Sequence, residues 1–182
     1  MRDVPRGCDW LYELKLDGFR GTLYVEEEHG RFLSKTKKRM KRFDALAKAI
    51  ARELRVSDVI LDGEIVVMSE GRPDFYPLMM NRKPASYVAF DVLWLKERDL
   101  RGLPLRRRKR ELEKLAGTGQ VHTVEATNDP RLIDAVGTMD LEGIVVKRGG
   151  DPYARTTEWL KGKHAEYSQK EGPADLSHRR QT

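Results

Sequence analysis

Lys15 is the one amine in an otherwise apolar, strand-like run, Leu-Tyr-Glu-Leu-Lys-Leu-Asp-Gly-Phe-Arg at 11–20. It stands between two carboxylates, Glu13 and Asp17, with the Arg20 guanidinium a few residues on. Such a lysine belongs either to a solvated strand face or to a nucleophilic site. An unperturbed amine has a pKa of about 10.4 and attacks only when neutral, so nearby cations that favour proton loss suit the second use. Further acids sit where apolar residues are expected: Asp62 and Glu64 interrupt Val-Ile-Leu-Asp-Gly-Glu-Ile-Val-Val-Met at 59–68. Burying either carboxylate unpartnered is costly, so each should meet a cation, a donor or water. Glu142 precedes a second apolar run, and Lys161 and Lys163, two residues apart, share one face of a strand. Without chemistry these residues would be an Asp-Gly bulge, a loop acid and two solvated lysines.

The elements that must position them follow from periodicity. Tyr12, Leu14 and Leu16 alternate with Glu13, Lys15 and Asp17, which predicts a strand with an apolar face and a charged working face. Asp17-Gly18 reads as a turn that reverses the chain into a strand over 20–25 and returns Arg20 to the neighbourhood of Lys15. A short strand is expected at 31–34. Phe43, Leu46, Ala47, Ile50 and Leu54 have helical spacing, and Ser57-Asp58 ends that helix. Strands follow at 59–68 and 87–95, with a loop and short helix at 71–81 in which Met79 and Met80 are packing residues. The segment 106–115 reads as a surface helix whose basic start is disfavoured by the positive helix N-terminus. A strand at 120–125, a helix at 129–136 opened by Asp129-Pro130, and strands at 143–147 and from Trp159 to Lys163 complete one domain over 1–164. The polar stretch 165–182 is a tail or linker.

The chain has 182 residues, enough for one sizeable core, and a formal net charge of +6 with 35% charged residues, which suits a polyanionic partner. Cys8 is the only cysteine, which excludes an intrachain disulfide and a thiolate metal cluster and suits a reducing cytoplasm. No apolar run approaches the roughly 20 residues of a membrane span, and no secretory signal opens the sequence.

In the order Lys-Leu-Asp-Gly (15–18), Leu-Asp-Gly-Glu (61–64), Val-Ala-Phe-Asp-Val-Leu (88–93), Leu-Glu-Gly-Ile-Val-Val-Lys-Arg (141–148) and Trp-Leu-Lys-Gly-Lys (159–163), the sequence resembles the covalent nucleotidyltransferases. The likeness is to the adenylation domain of bacterial and archaeal ATP-dependent DNA ligases and covers nearly all of 8–164. The resemblance implies an α+β, ATP-grasp-like nucleotidyltransferase fold of antiparallel sheets flanked by helices. It implies ATP and Mg2+ as cofactors and Lys15 as the residue that takes AMP. Glu13, Asp17, Gly18, Arg20, Glu64, Phe90, Glu142, Lys161 and Lys163 would then line the nucleotide site. Within it Phe90 would stack on adenine, and Glu64 and Glu142 would serve the metal, a hard-oxygen set that suits magnesium. An RNA ligase, a capping-type enzyme or a nucleotide-binding module without turnover would share this pattern.

The implied partner is nicked or broken duplex DNA. The basic run at 34–42, with Lys35, Lys37, Lys38, Arg39, Lys41 and Arg42, is either a phosphate-binding patch or a solvated loop. The family has Ser-Arg and a glycine-containing turn where this chain reads Ser-Lys-Thr-Lys-Lys. It also continues into an OB-fold domain, so this chain reads as a fragment, a minimal adenylation domain, or a protein whose other half comes from a partner chain.

Overall fold

Strand alternation at the start of the chain gives β1 (Trp10–Lys15), β2 (Phe19–Glu26) and β3 (His29–Ser34); a 3-10 turn then leads into α1 (Asp44–Leu54). Next come β4 (Asp58–Val66), a small ribbon of β5 (Met68–Ser69) and β6 (Arg72–Pro73), α2 (Phe75–Met79), β7 (Ser86–Leu95) and β8 (Arg98–Asp99). The final part holds α3 (Leu105–Leu115), β9 (Val121–Thr123), β10 (Ala126–Thr127), α4 (Leu132–Thr138), β11 (Gly143–Arg148) and β12 (Leu160–Lys163). This computed structural model describes residues 4–54, 56, 58–115, 121–138 and 140–164; the expectations for Ser57, Gln120 and the tail 165–182 lie outside those residues.

The strands form two main sheets, ordered β10-β1-β11-β12 and β3-β2-β4-β7-β8, with β9 parallel to β7 in the second and the other pairings antiparallel. The architecture is α+β, antiparallel sheets flanked by helices. The larger core fills the second sheet under α1 and α3 with residues such as Leu23, Phe32, Ile50, Leu61, Tyr87 and Leu112. A smaller one joins Tyr12, Val136, Ile144 and Val146 under α4. No helix among the described residues is long and apolar enough to cross a membrane.

Four expectations are corrected. β1 and β2 do not form a hairpin: β1 pairs along its length with β11, Trp10 opposite Arg148 and Lys15 opposite Gly143, while β2 pairs with β3 and β4. Gly18 serves a crossing between sheets and not a two-residue turn, since a Cβ there would lie 2.3 Å from the Ile65 carbonyl oxygen. Glu13 is not on an open face; α3 covers it and leaves it 2% exposed. Nor is α3 a surface helix in full, because Arg108 and Lys109 point inward at 1% and 6% exposure. Met80, expected to pack, is 45% exposed.

The Asp62-Gly63 bulge is present as a register shift between β4 and β7. Gly63 is required there by packing, since a Cβ would meet the Val88 carbonyl oxygen at 2.5 Å.

Candidate active site

The crossing from β1 to β2 brings the two sheets together around a cavity of about 210 Å³ lined by Lys15, Arg20, Lys35, Glu64, Phe90, Lys147, Trp159 and Lys161, with Glu13 in its floor. A larger apolar groove of about 730 Å³ abuts it and shares Leu14, Leu16 and Val124. The charged residues lining that groove are Glu125, Asp129 and Arg131, so the convergence of titratable groups belongs to the smaller cavity.

Lys15 ends β1, and its ammonium is ion-paired to Glu142 from the segment entering β11. Asp17 stands half-buried beside this pair. Burial raises its pKa and the Glu142 charge adds to that, against the opposing pull of Lys15 and Lys163. Glu64 on β4 makes no ion pair among the described residues. Burial drives its carboxyl up to about 8 despite the attraction of Lys15 and Arg20. Asp62, two residues earlier and itself fully buried, is satisfied: Arg20 Nε and Nη2 donate to it at 3.2 and 2.7 Å, and the Tyr153 hydroxyl donates at 2.7 Å. Burial alone would weaken the Arg20 charge, but these Asp62 bonds outweigh it and push its pKa further up. The guanidinium lies 5.5 Å from the Phe90 ring centre and 5.1 Å from that of Trp159, rings which meet edge to face at 5.8 Å. Phe90 and Trp159 thus form an aromatic wall with a cation fixed across it.

The floor is a buried charge cluster. Lys147 Nζ donates to Glu13 Oε2 at 2.7 Å, and Lys109 Nζ reaches Oε1 at 2.6 Å in a contact that is ionic more than directional. Burial would raise the Glu13 carboxyl, yet the two ammoniums more than reverse this and hold it low. The Lys147 ammonium sits 4.1 Å from the Trp159 ring centre and 4.6 Å from that of Phe90. Behind Phe90, Arg108 clasps Asp91 with bonds of 2.8 and 2.9 Å.

The structure therefore gathers Lys15, Arg20, Glu64, Phe90, Lys161 and Lys35 around one cavity, with Glu142 and Asp17 at its lysine. Gly18 packs on the Glu64 stem, a Cβ there falling 2.9 Å from Glu64 Cγ. Lys163 is opposite Gly143, exposed and outside the cavity lining. Lys147, Trp159 and Tyr153 were not anticipated in the site. Lys147 and Trp159 lie within the motifs at 141–148 and 159–163, and Lys147 also ends an apolar run; Tyr153 offered no signal. Among the described residues no group of three His, Cys, Asp or Glu side chains forms a closed metal cage. Glu64 and Glu142, near enough for the charge of one to act on the other, are two carboxylates that could offer hard oxygen donors to a cation.

Two packed antiparallel sheets enclosing a lysine, paired acids and an aromatic wall define a ligase-type nucleotidyltransferase domain. The fold matches that of mycobacterial DNA ligase D complexed with ATP and MES, with a TM-score of 0.75 and 28% identity over 87% of this chain and 56% of that one. The family model for the ATP dependent DNA ligase domain matches residues 4–163, and the chain belongs to that family. The multifunctional non-homologous end joining protein LigD of Pseudomonas aeruginosa is 36% identical over 173 residues, 87% of this chain and 20% of that protein. A probable DNA ligase of Dictyoglomus turgidum is 31% identical over 178 residues, 84% of this chain and 31% of that protein. The chain thus spans between a fifth and a third of these curated relatives.

Proposed function

We propose that this domain binds ATP in the 210 Å³ cavity and takes AMP onto Lys15. The observation that carries the reading is the Lys15–Glu142 pair set in the same cleft as the Phe90–Trp159 wall and the cations Arg20, Lys35, Lys147 and Lys161. The aromatic wall takes the base, and the cations take the phosphates. The neutral Lys15 nitrogen bonds to the α-phosphorus as the bond to the β-phosphate bridging oxygen breaks; pyrophosphate leaves with that electron pair, and the protons given up by the amine pass to water. The surrounding cations stabilise the charge that moves onto pyrophosphate. Magnesium held by Glu64 and Glu142 would supply further positive charge for the phosphates and compete with Lys15 for Glu142.

In the completed reaction AMP passes from Lys15 to a DNA 5′-phosphate, and a 3′-hydroxyl displaces it to seal a nick. The support for a DNA partner is the basic run that begins at the cavity with Lys35 and continues through exposed Lys37, Lys38 and Lys41. Arg39 is committed to Asp44, and Arg42 donates to the Leu78 and Met79 carbonyls, so the lysines are the groups left for phosphate. An OB-fold domain, in the same polypeptide or from a partner chain, would complete the clamp.

The test is intact-mass measurement of protein stripped with pyrophosphate and then incubated with ATP and magnesium. An AMP-sized increase is expected in the wild type and none in Lys15→Ala. Folded, unmodified wild-type protein that gains no mass ends the reading, and parallel incubation with GTP separates ATP use from a capping-type activity.

A further inference from the structure

Lys109 is a lysine on an 11-residue helix that buries its ammonium instead of presenting it to solvent. Together with Glu13 and Lys147 it forms a three-charge cluster, each member 6% exposed or less, with a net charge of +1. Such clusters do not earn their place by stability, because well-packed apolar residues of similar volume serve as well or better. Its geometry shows what the second lysine changes. Glu13 has two oxygens, and Lys109 occupies one of them at 2.6 Å, so Lys147 uses only the other at 2.7 Å. An ammonium has three donors. Lys147 therefore keeps donors and uncompensated charge while its Nζ stands between the Trp159 and Phe90 rings, 4.1 and 4.6 Å from their centres. Without Lys109, Glu13 would be a counter-ion for Lys147 alone, neutralising it and drawing it down off the rings.

We infer that Lys109 is a positioning residue for nucleotide binding: by sharing Glu13 it holds the Lys147 ammonium over the two rings of the cavity wall. The inference rests on the proposal that this cavity binds ATP. Lys109 touches no ligand, and its whole effect passes through Glu13 to Lys147. The neighbouring residue Arg108, which reaches Asp91 on the other sheet, fixes the helix so that Lys109 arrives at one depth.

The experiment is a double-mutant cycle read by titration with α,β-methylene ATP, a probe that cannot donate AMP. Lys109→Met, close in volume, should weaken binding about tenfold, the scale of one charged hydrogen bond. Lys147→Met should weaken it by at least as much. The Lys109→Met/Lys147→Met protein should bind no more weakly than Lys147→Met alone, and Lys109→Arg, which keeps the charge, should restore most of the affinity. If Lys109→Met fails to fold by circular dichroism, Lys109→Gln, with a donor but no charge, carries the same expectation. Unchanged affinity in a folded Lys109 variant, or losses that multiply in the double variant, overturns the inference and leaves Lys109 a packing residue. Absence of probe binding by the wild type overturns the nucleotide reading itself, an outcome distinct from either.

Discussion

Glu64 offers a quantitative check on the site. Its carboxyl is carried from the ordinary 4.5 to about 8 by burial, with no carboxylate-bound cation to bring it down. A raised acid titrates in the unfolded chain first, so between those two values the native state holds more protons and stability falls as pH rises. The gap is about 3.5 pH units, and at about 1.4 kcal/mol per unit it limits the full cost to about 5 kcal/mol, reached above pH 8. The same linkage gives below about 1 kcal/mol at pH 5 and about 3 kcal/mol at pH 7. Glu64→Gln keeps the shape and removes the titration. Urea unfolding of both proteins without nucleotide should show nearly equal stability at pH 5 and an advantage for Glu64→Gln of about 3 kcal/mol at pH 7, growing further by pH 9. In thermal melts, the pH 7 difference corresponds to roughly 6–12 °C for a domain of this size. Parallel stability curves for the two proteins from pH 5 to 9 would refute the argument, since they would mean that Glu64 ionises as freely in the folded chain as in the unfolded one.

Other expected outcomes follow from the same geometry. Arg108→Met leaves Asp91 buried without its cation and should cost about 3–5 kcal/mol in urea unfolding, most of it recovered in Arg108→Met/Asp91→Asn; a loss below 1 kcal/mol would show that Asp91 finds another partner. Phe90→Ala should weaken ATP binding by about 1 kcal/mol or more in calorimetry through loss of a ring, while Phe90→Tyr largely preserves it; equal affinities would make Phe90 core alone. Replacing Lys37, Lys38 and Lys41 with Gln should lower the salt slope for nicked duplex by about 0.9 per lost phosphate contact, with AMP transfer onto Lys15 nearly unchanged; an identical slope returns the run to a solvated loop.

Much of the scaffold was legible because its signals are local. Alternation marked β1, apolar runs marked β4 and β7, and the 3.6-residue spacing of Phe43, Ala47 and Ile50 marked α1. What escaped was pairing between distant segments. Asp17-Gly18 has the composition of a hairpin turn, but the partner of β1 is β11, whose Gly143 faces Lys15 from the far end of the chain. Nothing in a turn dipeptide encodes that competition. The inward cations escaped for a related reason: five consecutive basic residues at 106–110 look alike in sequence, and only the positions of Asp91 and Glu13 in the fold separate Arg108 and Lys109 from exposed Arg107 and Arg110. Lys15 and Glu64 could be singled out in advance because each interrupts an apolar strand; Phe90, apolar within an apolar strand, was marked only by the family resemblance. Tyr153 and Trp159 lie in and beside an irregular loop, where periodicity has nothing to say.

Two consecutive residues of α3 hold opposite sides of the cleft, Arg108 through Asp91 on β7 and Lys109 through Glu13 on β1. Parting the sheets would therefore expose at least one buried ion pair at once, a motion as expensive as sub-global unfolding. The low-energy fluctuations are left to segments that carry no such tie, the exposed turns around 35–38 and 154–158. In hydrogen exchange, β1, β7 and α3 should open together and last, while those two turns exchange early. Entry to the cavity is then a matter of loops moving over a rigid frame, and the lysine at the end of β1 stays where the sheet puts it.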